Sequence, residues 1–334
     1  MKRLLAICLA VSAISACKDD AQSKSQTSAS AAPTQSAIPD DFVVNSFFAQ
    51  SKNVAVAVDG SVAFGEPGTD TGGGEKVKIV DAGGEPKTKL AYAFVLAKAQ
   101  TIAATITEEV SGPDIPEGQG KQPPVKVTLT TTAKKKDGPK TQIELAIAKF
   151  EMVGAPPELA TKLAPLQASL AKVTASYTVG ANGETGDLEF AGAESLQRGP
   201  GEQILSMVAR VQSVLYIPLP TAPVGPGAKW KTTVSQEAAT VESIYTFVGK
   251  TEAGYAIKLE TSSMAAPKTM QDPRSQKKIT LEVKGGATYD LTTLLDGPTY
   301  KGTGESKTGV IMSENQGPKR TNNEKMSLVI EKGK

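Results

Sequence analysis

Residues 125–130 read Val-Lys-Val-Thr-Leu-Thr, so that every apolar residue is followed by a polar one. A strand turns successive side chains to opposite faces, and this alternation therefore predicts a strand with one buried and one wet face. The same period of two recurs at residues 143–147, 255–259, 279–283 and 326–330. Strands with one wet face are typical of antiparallel sheets. The sequence therefore predicts a mainly β fold built from antiparallel sheets.

Turn-forming pairs support this prediction. Asp59-Gly60 separates the apolar runs 53–58 and 61–65, which is typical of a β-hairpin with a two-residue turn. Asp137-Gly138 and Gly285-Gly286 are expected to be turns for the same reason.

Two stretches have helical spacing instead. In the first, leucines recur at intervals of three and four, and in the second, residues 202–216, Ile204, Leu205, Val208, Val211 and Leu215 form an apolar stripe. Pro165 lies inside the first stretch, so we expect that helix to kink or split there. Each helix has one apolar stripe, and we expect both to pack on the sheets. The leucines of the first helix are Leu159, Leu163, Leu166 and Leu170.

The motif Tyr-x-Phe-Val occurs at residues 92–95 and again at 245–248, and similar strand and loop patterns follow each copy. This indicates two duplicated β-rich halves. The first β-rich half is expected at residues 38–194 and contains a helix, whereas the second, at 195–334, begins with one. Two unrelated antiparallel meanders would give the same order, so both interpretations stay open.

The N-terminus carries a targeting signal. Lys2 and Arg3 precede a mostly apolar run, 4–14, which is too short for the roughly 20 residues that span a bilayer. This pattern is typical of a secretory signal peptide. The next residues, Ile14-Ser15-Ala16-Cys17, resemble the lipobox of bacterial lipoproteins. The resemblance implies cleavage of residues 1–16 between Ala16 and Cys17, with lipid such as palmitate on Cys17. The alternative is an ordinary signal peptide followed by a cysteine.

A lipid on Cys17 implies anchoring in the bacterial cell envelope. Lys18 stands where an aspartate would retain the protein at the inner membrane, so the resemblance favours the outer membrane. Residues 18–37 contain no large apolar side chain, and with Cys17 they are expected to form a lipidated, flexible tether.

Composition excludes several kinds of chemistry. The chain has no histidine, which removes histidine bases and imidazole metal ligands. Loss of residues 1–16 takes away Cys8, Lys2 and Arg3 and no acid, which leaves equal numbers of basic and acidic residues. With lipid on Cys17, the mature chain has no free thiol. A neutral chain lacks the positive charge that nucleic-acid binding needs. We expect no metal, no cofactor and no nucleic-acid partner.

Short motifs that resemble those of penicillin-recognising serine enzymes do not change this view. Ser169-Leu-Ala-Lys172 and Ser275-Gln-Lys-Lys278 match S-x-x-K, and Lys307-Thr-Gly309 matches K-T-G. The serines do not begin a buried helix, and no S-x-N sequence lies between an S-x-x-K motif and K-T-G. We therefore expect no catalytic residues and no enzyme.

The sequence predicts a non-enzymatic, lipid-anchored envelope protein that binds a hydrophobic ligand or lipid in a cleft between sheet and helices. If the helices lie flush on the sheet instead, the same residues are core. The alternative function is a structural or interaction lipoprotein that uses sheet edges and the loops 111–124 and 263–277 to bind an envelope protein. The segment 223–230 weakly resembles uncharacterised β-rich envelope lipoproteins. The expected cleft residues are Leu159, Leu163, Leu166, Leu170, Val208, Val211 and Trp230.

Overall fold

The computed structural model describes residues 54–56, 62–64 and 77–333, apart from gaps at 114, 117, 194–195, 197–199, 237–238, 272–277 and 315–318. The predicted signal peptide, Cys17 and the tether lie outside the described residues. The strands are β1 Val54–Val56, β2 Val62–Phe64, β3 Lys78–Asp81, β4 Ala99–Ser111, β5 Val125–Asp137, β6 Lys140–Met152, β7 Thr174–Gly180, β8 Glu189–Ala191, β9 Lys229–Gln236, β10 Ala239–Lys250, β11 Gly254–Gln271, β12 Lys278–Leu294, β13 Thr299–Glu314 and β14 Arg320–Lys332, and the helices are α1 Pro157–Leu170 and α2 Pro200–Ser213.

One sheet dominates the fold and confirms the mainly β, antiparallel prediction. Its 12 strands follow the order β3-β9-β10-β11-β12-β13-β14-β4-β5-β6-β7-β8, and each neighbouring pair is antiparallel. The last strand, β14, pairs with β4, and this pairing joins the two sequence halves into one sheet. The internal duplication and its division near residue 195 stay predictions.

The turn predictions met different outcomes. Asp137 pairs with Lys140 across a tight turn in which Gly138 has φ +57, as expected. β1 and β2 do form a hairpin, but Val56 pairs with Val62, which is one residue away from the register of a two-residue Asp59-Gly60 turn.

The prediction of a turn at Gly285-Gly286 was wrong, because both glycines lie inside β12. A Cβ atom on Gly285 would lie 2.6 Å from Thr308 Oγ1 and 2.9 Å from Ser263 Oγ. Gly285 therefore leaves room for side chains of the neighbouring strands and does not mark a chain reversal.

Helix α1 is amphipathic, as its leucine spacing predicts. Leu163, Leu166 and Leu170 are buried, and the Gln167 side-chain carbonyl accepts a hydrogen bond from Phe150 N at 2.8 Å. This contact places α1 against the part of β6 that β7 does not cover. The expected split at Pro165 was wrong, since the helix continues through it. Pro165 is exposed, so its ring and the interrupted helical bonding lie on the solvent side.

Helix α2 packs on the sheet, as expected, and is buried more extensively than its apolar stripe predicts. The buried side chains include the polar Arg210 and Gln212 as well as Ile204, Leu205, Val208, Ala209 and Val211. One face stays partly exposed, because Glu202, Gln203, Ser206 and Ser213 are only half-buried.

The sheet bends around this buried helix and the segment that follows it. Trp230 of β9 donates a hydrogen bond from Nε1 to Pro218 O at 2.7 Å, and Arg210 reaches Glu108 of β4. In a flat sheet, β9 and β4 would be separated by six strand spacings, or roughly 29 Å. The inner face of the sheet is therefore concave, and α2 lies in the concavity.

Candidate ligand-binding cavity

The strand register aligns inward-facing side chains into rows that cross the sheet from β9 to β4. Residues that are paired directly across antiparallel strands point to the same face. We name three successive rows. The tyrosine row is Trp230, Tyr245, Leu259, Tyr289, Gly304, Leu328 and Ile106; the hydroxyl row is Thr232, Ser243, Thr261, Ala287, Ser306, Met326 and Glu108; and the rim row is Val234, Val241, Ser263, Gly285, Thr308, Glu324 and Val110.

Side-chain size falls from the tyrosine row to the hydroxyl row on β10, β11 and β12. Tyr245, Leu259 and Tyr289 are large, whereas the neighbouring inward residues of the same strands are Ser243, Thr261 and Ala287. These small inward residues leave space between the three strands and α2.

That space is a cavity of about 130 Å³ between α2 and the concave sheet. Arg210, Val211 and Val214 line it from the helix side, and residues of the three rows line it from the sheet. An enclosed apolar cavity of roughly 150 Å³ is large enough to bind benzene. The cavity is thus the right size for an aromatic ring or a short stretch of alkyl chain.

The cavity has a closed end and a more open end. Leu259 and Tyr289 of the tyrosine row are buried, with 5% and 7% of their surface exposed. Val241, Ser263 and Val283, which lie further along the strands, are half-buried. The cavity is therefore more open to solvent near Val241, Ser263 and Val283 than near Leu259 and Tyr289.

An ion pair borders the cavity. Arg210 Nη1 donates to Glu108 Oε1 at 3.0 Å and lies 3.6 Å from Met326 Sδ. Both charged side chains are buried, Arg210 with 9% and Glu108 with 4% exposed. Burial raises the pKa of Glu108, and the adjacent Arg210 guanidinium acts in the opposite direction. Burial also raises the pKa of Tyr289, which keeps its phenol neutral.

The structure brings one of the expected cleft residues, Val211, to the cavity. Val208 and Trp230 are fully buried in the core. The Trp230 ring stacks on Tyr245 with 5.8 Å between centroids, so Trp230 supports a cavity residue from behind.

The α1 leucines lie elsewhere. Leu163, Leu166 and Leu170 are buried core residues, and Leu159 is a partly buried residue packed against that core. None of these leucines is among the residues that line the cavity between α2 and β9–β14.

Sequence reasoning missed Arg210, Glu108 and the inward serines and threonines. A signal for the first two was present. Glu108 continues the inward series Ile102, Ala104, Ile106 by the same period of two, and Arg210 interrupts an apolar helix stripe. Nothing in the local pattern pairs these two residues, which are far apart in the chain.

Within the described residues, no group of three or more acidic, cysteine or histidine side chains could hold a metal ion. No helix in that part of the chain has the length and apolar character needed to cross a membrane. Comparison with known proteins found neither a matching family model nor a matching curated protein.

Proposed function

We propose that this protein binds a hydrophobic molecule reversibly in the cavity between α2 and the concave sheet, without catalysing a reaction. The observation that carries the proposal is the cavity itself. Valines, leucines and tyrosines form most of its apolar wall, and aliphatic and aromatic side chains are the usual lining of a small-molecule pocket. In this proposal, lipid on Cys17 anchors the protein to the envelope membrane, and residues 18–37 form the tether between the lipid and the folded part of the chain.

The cavity volume bounds the affinity. About six buried CH₂ groups, at roughly 0.8 kcal/mol each, contribute about 5 kcal/mol, which corresponds to a Kd on the order of 0.1–1 mM. A longer chain would also cover the half-buried Val241 and Val283 and bind more tightly. Weak, reversible binding suits transient storage or transfer of an apolar molecule.

Edge-mediated interaction, the alternative function, has less support. The two outer strands of the sheet, β3 and β8, have 4 and 3 residues. Short edge strands are a common protection against pairing with another chain.

Filling the cavity tests the proposal. Ala287→Phe places a ring in the hydroxyl row, whereas Thr288→Phe places the same ring on the exposed outer face one residue later. Binding of a neutral fluorescent probe, N-phenyl-1-naphthylamine, is titrated for both variants and the wild type. We expect Ala287→Phe to weaken binding at least tenfold and Thr288→Phe to leave it unchanged.

A second pair of variants tests the cavity at another position, so that the test does not depend on whether Ala287→Phe folds. Ser263→Leu fills the cavity near its mouth, and Ser262→Leu is its outward-facing control. Circular dichroism verifies that each variant is folded. The same probe affinity in folded wild type, Ala287→Phe and Ser263→Leu would refute binding in this cavity.

A further inference from the structure

We infer that the ligand is an uncharged amphiphile whose ester or alcohol group binds to the serines and threonines of the cavity. This inference rests on the proposed function and names the class of molecule that the site accepts. We call these side chains the hydroxyl belt; they are Ser243, Thr261, Ser263, Ser306 and Thr308.

The hydroxyl belt interrupts an apolar wall. Its residues lie on β10, β11 and β13, and their cross-strand pairing turns them all towards the cavity. The apolar side chains of Leu259, Val214 and Val283 line the same space. A molecule in this cavity therefore meets hydroxyl groups and hydrocarbon together. This combination suits a ligand that has an acyl chain and a polar linkage within a few atoms of each other.

Ser306 adds a hydroxyl to the buried part of the cavity wall. Its side chain is 7% exposed and lines the cavity, and the phenol of Tyr289, which lines the same cavity, is its hydrogen-bonding neighbour. A serine hydroxyl can donate one hydrogen bond and accept two, so one phenol neighbour leaves capacity for a ligand oxygen.

The charge balance argues against an anionic headgroup. Arg210 is the only charged residue lining the cavity in the part of the chain that the structure describes, and its guanidinium already binds Glu108. A carboxylate or phosphate entering this site would meet a guanidinium whose charge is already balanced by a carboxylate. Its loss of water would therefore be poorly compensated.

Competition between three ligands tests the inference. The purified full chain carries Cys17→Ser, so that no attached lipid can enter the cavity. N-phenyl-1-naphthylamine is bound first and is then displaced by 1-decanoylglycerol, decanoate or toluene, each below its aggregation threshold. The first two competitors share an alkyl chain and differ in their polar group, and toluene is a soluble apolar molecule without a polar group. We expect 1-decanoylglycerol to displace the probe at a concentration at least tenfold lower than decanoate or toluene.

Variants of the hydroxyl belt connect this preference to the site. Thr308→Val and Thr261→Val remove one hydroxyl each and keep the branched shape. Each is expected to weaken 1-decanoylglycerol binding about fivefold and to leave toluene binding unchanged. Thr303→Val, on the outward face of β13, is the control.

The outcomes separate the two proposals. If the probe does not bind, or none of the three ligands displaces it, the cavity is not a binding site and both proposals fail. If decanoate or toluene competes as well as 1-decanoylglycerol, or if Thr308→Val binds 1-decanoylglycerol like the wild type, the neutral-ligand inference alone is overturned.

Discussion

The buried ion pair between Arg210 and Glu108 predicts a large loss of stability in Arg210→Met. Methionine keeps a long, unbranched side chain and removes the guanidinium. Glu108, 4% exposed, would then be a buried carboxyl without its 3.0 Å partner. Removing one member of a buried pair typically costs about 3–5 kcal/mol. For a protein of this size the melting temperature should fall by roughly 6–20 °C.

The loss should depend on pH. Burial already raises the pKa of Glu108, and Arg210 is the group that opposes this rise. In Arg210→Met, the folded-state pKa therefore rises further above that of the unfolded chain. Below the unfolded-state pKa, Glu108 is protonated in both states and its penalty is absent. As pH rises from there through the folded-state pKa, the variant loses stability, so its deficit is larger at pH 7 than at pH 4.

Urea unfolding followed by tryptophan fluorescence measures the effect. Trp230 is the only tryptophan of the chain, is fully buried, and stacks on Tyr245, so its emission reports on the concave core. Lys258→Met is the matched control, because Lys258 forms an exposed ion pair with Glu260 and should matter little. An Arg210→Met variant within about 1 kcal/mol of wild type at pH 7, or one whose deficit is the same at pH 4, would refute the argument.

Three further predictions concern packing and the anchor. Gly304→Val should destabilise the fold by about 1–3 kcal/mol in urea unfolding, because a Cβ at this position would lie 2.0 Å from Tyr289 Cδ1; an unchanged midpoint would contradict it. Leu170→Ala should cost about 2–5 kcal/mol, since Leu170 is fully buried, and Leu159→Ala clearly less, since Leu159 is only partly buried; equal losses would show that α1 packs differently. Alkyne-palmitate labelling in a bacterial host should mark the wild type and not Cys17→Ser, and equal labelling of both would exclude the lipobox interpretation.

The sequence by itself determined the local structure and the direction of many side chains. Alternation at 125–130 gives a strand with a buried face because side chains of a strand turn to opposite sides at every step. The spacing of Leu163, Leu166 and Leu170 gives a helix stripe for the equivalent reason. The same period places Glu108 inward, after Ile106, without any knowledge of the fold. These properties depend only on near neighbours in the chain.

Only the tertiary structure decided which strands are neighbours and where space remains. The pairing of β14 with β4 sets Met326 beside Glu108, and no local pattern contains that information. Bending of the sheet then buries α2 beyond its apolar stripe, so that the polar Arg210 and Gln212 also lie in the interior. The cavity follows from the register that aligns Ser243, Thr261 and Ala287 in one row. Small residues are common throughout the chain, and they create a cavity only where long-range pairing brings several of them together against one helix.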